Sequence, residues 1–305
     1  MPAVTANTLT LPRIEAPTVL AQDRPLISLT TAPSGFEGEG FPVRRAFAGI
    51  PKEVLDPFIM MDQMGSVDYP PYEARGTDWH PHRGFETITY MIVGAVEHHD
   101  SLGNKGVVGP GEVQWMTAAS GIIHAEYIAP AFKAKGGTLH GFQIWVNLTA
   151  AHKMQPPAYQ QFGAENFPTI TEGNCSVKVI AGTYKNAVSP MKTKTELCMW
   201  HVNVPEDGQL SLELPASFQC AVYVATGSVM INGQHLHDGK IIFPDNSENN
   251  SFNISGHQLA TLLVIGGVPI NEPIASYGPF VMNTEQEIEE AILDYQSGKF
   301  GTIDR

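Results

Sequence analysis

Apolar and polar residues alternate along most of this chain with a period of two. The segments FPVRRAF (41–47), FETITYMIV (85–93), EVQWMT (112–117) and HGFQIWVNL (140–148) carry the pattern in the first half. VKVIAG (177–182), MWHVNV (199–204), LSLEL (210–214), CAVYVAT (220–226), KIIF (240–243) and LATLLVIG (259–266) carry it in the second. Side chains of an extended chain point alternately to opposite faces, so each segment predicts a strand with at least one buried face. Val, Ile, Thr and aromatic residues dominate them, and Gly, Pro, Asn or Asp bound them. Short strands at regular spacing, separated by turn residues, predict an all-β protein of sandwiches or barrels. One stretch has helical spacing instead. In 283–298, Ile288, Ala291, Ile292 and Tyr295 form an apolar stripe, Thr284 and Glu287 form a capping box, and Gly298 ends the helix.

The two halves resemble each other. The strand 86–94 matches 220–227, and the turn-and-strand from Pro110 matches that from His237. Duplication of one β-unit is the expectation, and 305 residues suit two domains. Pro156 and Pro157 lie in a segment with no strand pattern and cannot sit inside a regular element. The expected organisation is an arm over 1–24, a first domain over 25–150, a linker over 151–168 and a second domain over 169–305 that carries the terminal helix.

Composition narrows the function. Hydrophobic residues make up 43% of the chain, enough for two cores, and 29 Gly with 23 Pro suit a turn-rich β-fold. The net charge of −13 repels phosphate backbones and anionic membranes, so no direct nucleic-acid or membrane partner is expected. No apolar run reaches the length of a membrane span, and the N-terminus lacks the basic and apolar regions of a secretory signal. Cys175, Cys198 and Cys220 are odd in number and widely spaced. They read as buried small hydrophobes in a reducing, cytoplasmic compartment.

Candidate chemistry centres on the histidines. His80 and His82 flank Pro81 before a strong strand, and positions i and i+2 aim two imidazoles the same way. His124 and Glu126 repeat the geometry with an imidazole and a carboxylate. If the two segments face each other, three nitrogens and one oxygen converge. That donor set suits Fe, Mn, Ni, Co, Cu or Zn and leaves open coordination positions. Arg83 is out of phase with them and is expected in an ion pair. His98 and His99 are expected at a turn or rim. His235 and His237 share a face but have no companion ligand pair.

His80, His82 and Glu86 fit H-x-H-x3-E, and Gly121 with His124 fits G-x-x-H; these resemble the two halves of the cupin signature. The spacing to Gly94 is one residue longer than usual, the second motif is about two residues longer, and Thr117 replaces a Pro. WHPHRGFETITYMIVG, PGEVQWMTAASGIIHAE, GFQIWVNL, KMQPPAYQ and GPFVMNTEQEI together resemble the pirin family, over residues 40–298. The resemblance implies two cupin jelly-roll barrels arranged as a bicupin, with a metal only in the first. It implies His80, His82, His124 and Glu126 as ligands and Fe(II) as the metal. The general cupin pattern would instead use Glu86. With Glu126 as ligand, Glu86 is expected behind the ligands, fixing an imidazole tautomer by hydrogen bonding.

The resemblance implies a quercetin 2,3-dioxygenase acting on a flavonol and O2, with Glu126 taking the proton of the flavonol 3-hydroxyl. Phe58, Met60, Met64, Trp79 and Trp115 are candidates to line an apolar pocket for the flat substrate. It also implies an alternative, a redox-gated regulator that binds a transcription factor or a metabolic enzyme through its acidic surface. A monomer is expected, because the two barrels pair internally.

Overall fold

The computed structural model describes residues 30–38, 40–243 and 250–302. The arm proposed over 1–24 lies outside the described residues. Within them, strands account for most of the chain and each half forms a seven-stranded and a four-stranded antiparallel sheet.

In the first half, the large sheet runs Ala158–Phe162, Val113–Thr117, Phe85–Val93, Gly137–Asn147, Phe58–Tyr69, Phe41–Arg45, Ser34–Glu37. Its small sheet runs Thr77–His82, Ile122–Ile128, Val96–Asp100, Lys105–Val108. In the second half, the large sheet runs Thr30–Thr31, Lys240–Ile242, Gln219–Thr226, Ala260–Gly267, Leu197–Val204, Cys175–Ala181, Thr169–Glu172. Its small sheet runs Gln209–Leu214, Asn250–Gly256, Ser228–Ile231, Gln234–His237. Position by position the two orders coincide, so the fold is two copies of one cupin barrel.

The copies exchange edges. Thr30 and Thr31, early in the chain, pair with Ile241 and Lys240 of the second barrel. Ala158–Phe162, from the segment after the first barrel, pairs with Val113–Thr117 of the first. Pro156 and Pro157 lie between the short helix Ala150–Lys153 and this strand, where no ladder needs their missing N–H groups.

The large sheets share one core. Ile88, Tyr90, Val113, Trp115, Phe142 and Ile144 pack with Met199, Ala221, Tyr223, Leu263 and Ile265. Both faces of Phe85–Val93 are therefore covered, and its first seven residues are all buried. Gln209–Leu214, with one wet face, keeps strict alternation. Two buried tyrosines of the shared core are paired: Tyr223 Oη donates to Gln63 Oε1 at 2.6 Å, and Tyr90 Oη bonds His201 Nδ1.

The terminal helix spans Glu285–Gln296, and its capping box forms as the sequence predicts. Ile288 and Ala291 are buried, with Ile292 and Tyr295 partly so. They pack on Ile123 and Trp79 of the first barrel together with Phe280 and Phe300. The helix thus belongs to the second half in sequence and lies against the first in space.

Candidate metal centre

His80 and His124 are directly opposed across the Thr77–His82 and Ile122–Ile128 strands, and His82 lies two residues further along. One-residue alternation therefore aims all three imidazoles into the first barrel. Thr77–His82 is an edge strand of its sheet, which is why Pro81, with no N–H to donate, is tolerated between the ligands. Ring centroids are 4.3 Å apart for His80–His124, 4.7 Å for His80–His82 and 4.9 Å for His82–His124. One nitrogen from each ring falls within 4.8 Å of the others, and all three residues are buried.

These nitrogens fit a metal ion. His80 Nδ1 donates to the Asp78 carbonyl at 2.8 Å, which leaves the Nε2 lone pair free. His82 Nδ1 and His124 Nε2 are buried with no protein partner. Buried polar atoms normally have one, and a shared cation supplies it to the cluster at once. Burial lowers the pKa of His80 from its ordinary value, and it lowers His82 and His124 further, with the neighbouring imidazoles adding to the effect. The rings are therefore neutral, the form that ligates.

The turn after His82 is locked. Gly84 has φ +91°, and a Cβ there would lie 1.9 Å from the Val281 carbonyl. Buried Lys153 donates to the Gly84 carbonyl at 2.7 Å, to Asn147 Oδ1 at 2.6 Å and to the Val281 carbonyl at 2.9 Å. Its burial brings the pKa down to about 8. Arg83 forms the expected ion pair, donating from Nη2 to Asp294 on the terminal helix at 2.9 Å and from Nε to the Ser120 carbonyl at 2.7 Å. Its guanidinium also sits 4.6 Å from the Phe300 ring centroid. The end of the chain thus braces the ligand strand.

Glu126 lies on the same face of its strand as His124, and its Oε1 accepts from Thr89 Oγ1 at 2.6 Å. It is close enough to oppose the lowering of the His80 pKa, yet it is outside the group of three mutually adjacent nitrogens.

Glu86 is elsewhere. The Arg83–Gly84 turn resets the alternation, so Phe85, not Glu86, faces the histidines: the Phe85 ring is 5.1 Å from that of His82. Glu86 pairs with Thr117 and accepts its hydroxyl at 2.6 Å, on the sheet face shared with Trp115 and Ile88. It fixes no imidazole tautomer, because its face meets the second barrel.

Four further residues, Phe58, Trp79, Trp115 and His98, lie elsewhere than expected. Trp115 and Phe58 belong to the core between the large sheets, and Trp79 packs under the terminal helix, so none of them lines the site. Met60 and Met64 are on the inner face of the large sheet, in register with Trp145 and Gly141. The aromatic neighbours of the site are Phe85 and Trp145, the latter 5.3 Å from His82 by ring centroids; the alternation of 85–93 and 140–148 carried that signal. His98 is not a rim residue: it is fully buried and within hydrogen-bonding range of His124. His99 is partly exposed, with its Nε2 2.8 Å from Glu97 Oε1.

The second barrel has no counterpart. Its strands equivalent to the ligand strands bury Leu210, Leu212, Leu214, Phe252 and Ile254. His235 and His237 are exposed. Among the described residues, the His80–His82–His124 group is the one cluster of three such side chains that could hold a metal.

Fold and site define a bicupin with one metal-capable barrel. Residues 40–146 match the Pirin family model and residues 199–301 match the Pirin C-terminal cupin domain. The chain belongs to the pirin family. A Pseudomonas aeruginosa protein named "Putative quercetin 2,3-dioxygenase" is 40% identical over 267 residues, covering 86% of this chain and 93% of that one. Pirin-like protein 2 of Arabidopsis thaliana is 36% identical over 286 residues, covering 91% and 86%. Among solved structures, a quercetin 2,3-dioxygenase from Acinetobacter baumannii superposes with a TM-score of 0.86 at 35% identity, covering 91% of this chain and 98% of that one.

Proposed function

We propose that this protein is a metal-dependent dioxygenase that opens flavonols such as quercetin, with His80, His82, His124 and Glu126 holding Fe(II). The observation that carries the reading is three neutral, buried imidazoles on one barrel face with a carboxylate beside them. The relatives named as quercetin dioxygenases supply the substrate class.

When bound, the ferrous ion supplies a Lewis-acid centre and the redox partner that dioxygen chemistry requires. The chain's own residues do the rest. Glu126 takes the proton of the flavonol 3-hydroxyl as general base. Thr89 Oγ1 holds the carboxylate through Oε1 and leaves Oε2 for that proton. Phe85 and Trp145 present apolar ring surface beside His82, suited to a flat aromatic substrate. The overall reaction consumes one dioxygen, opens the heterocycle and releases carbon monoxide.

The test is direct. Chelator-stripped protein is reloaded with Fe(II), given quercetin and oxygen, and assayed for carbon monoxide and loss of flavonol absorbance, beside a His124→Ala variant. Carbon monoxide from the native protein alone is expected. Stoichiometric iron without carbon monoxide would overturn the flavonol assignment, and failure to bind any divalent metal would overturn the centre itself.

A further inference from the structure

We propose that His98 and Asp100 are positioning residues that hold His124 in the tautomer able to bind metal, an inference that rests on the reading of His80, His82 and His124 as a metal centre. The strand Val96–Asp100 runs beside the His124 strand, with Asp100 opposite His124 and His98 opposite Glu126. The His98 and Asp100 side chains are both fully buried. Asp100 Oδ1 accepts two backbone N–H groups, from Leu102 and Asn104, each at 2.9 Å. Asp100 Oδ2 accepts Asn104 Nδ2 at 2.9 Å and faces His98 Nε2 at 3.1 Å. A carboxylate only accepts, so His98 carries its proton on Nε2 and has a lone pair on Nδ1.

Gln114 Nε2 lies 3.2 Å from His98 Nδ1, and Tyr159 donates its hydroxyl to Gln161 Oε1 at 2.8 Å. The Tyr159 ring stacks on His98 with centroids 4.8 Å apart and an interplanar angle of 23°, fixing the imidazole plane. His124 Nδ1 is 3.4 Å from the same His98 Nδ1. Two imidazole nitrogens can bond only if one is protonated, and that proton belongs to His124. Its Nε2 is then an unprotonated lone pair, directed at the cluster and without a protein partner. The order of protons from Asp100 through His98 to His124 is thus set at its buried acidic end.

Asp100→Asn reverses this order with almost no change of shape. The two backbone N–H groups keep the amide oxygen at the Oδ1 position, so the NH2 group faces His98 Nε2, and the Asn104 amide, which donates to Oδ2 in the native chain, turns its own oxygen to accept. His98 must then accept there and donate from Nδ1. His124 in turn protonates Nε2, the atom needed for metal. His98→Asn keeps an acceptor near the Nδ1 position, whereas His98→Leu removes it.

The full-length chain tests this with Co(II) as the probe. Ring nitrogen NMR of the metal-free native protein should find the His98 proton on Nε2 and the His124 proton on Nδ1. Both should switch in Asp100→Asn. Chelator competition should show Co(II) binding weakened about 10–100-fold in Asp100→Asn and His98→Leu. His98→Asn should stay close to native, and metal-free Asp100→Asn should still unfold in one cooperative transition. Native His98 protonated on Nδ1, or undiminished Co(II) affinity in Asp100→Asn, would overturn the proposal. If the native chain itself fails to bind Co(II), the metal-centre reading falls, and the tautomers of the metal-free protein still decide the proton order.

Discussion

Replacing Glu86 by Gln should remove a pH-dependent weakness from the core between the barrels. Glu86 is 1% exposed, and one of its oxygens, Oε2, is buried with no hydrogen-bond partner. Burial raises its pKa from 4.5 to about 7, against the opposing effect of the Thr117 hydroxyl, of the neighbouring Trp115 indole N–H and of Lys194. The native state therefore holds a proton through a range where the unfolded chain has lost it. Between about pH 4.5 and pH 7 the folded form binds more protons, so stability falls as pH rises, and the loss is complete above pH 7. A separation of roughly 2.5 pKa units amounts to about 3 kcal/mol. Glutamine keeps an oxygen for Thr117 but has no charge to bury. Urea unfolding of the metal-free protein from about pH 5 to about pH 8 measures the effect. The stability difference between Glu86→Gln and native should grow by about 2–3 kcal/mol in favour of the variant across that range. A difference that stays constant with pH would refute the assignment of Glu86 to a desolvated interface. Loss of Co(II) binding in the variant would refute its placement on the face away from the histidines.

Two other substitutions probe the site and its brace. Thr89→Val removes the hydroxyl that holds Glu126, one of the four proposed ligands, and should slow flavonol turnover and weaken Co(II) binding by roughly tenfold each. An unchanged rate would separate Thr89 from the chemistry. Thr284→Ala removes the helix cap and should cost about 1 kcal/mol, read as faster amide exchange across Glu285–Gln296 and a lower urea midpoint. Equal exchange in the two proteins would mean that packing on Trp79 and Ile123 alone holds the helix.

Short-range pattern was the part of this molecule legible before folding. Strands such as Phe85–Val93 and Gln219–Thr226 follow from alternation and β-branched residues, and the terminal helix follows from its cap and stripe. The shared face of His80 and His82 was legible too, because i and i+2 in one extended strand share a face whatever surrounds it, while their meeting with His124 was implied by the family resemblance. Phase across a turn was not legible: Glu86 sits an even number of residues from His82, but the Arg83–Gly84 turn exchanges the faces and seats Phe85 at the site. Burial on both sides of the large sheets made Trp115 and Phe58 look like pocket residues, when they pack in the core shared with the other barrel. His98 was hidden because its role depends on Asp100, Gln114 and Tyr159, which reach it from three different strands. The sequence by itself determined the elements, the duplication and the shared face of His80 and His82, since all of these rest on local periodicity. Only the tertiary structure decided which face each strand turns to the site, which edges the barrels exchange, and which buried groups order the protons around His124. Those depend on contacts between distant strands, where sequence separation carries no information about distance.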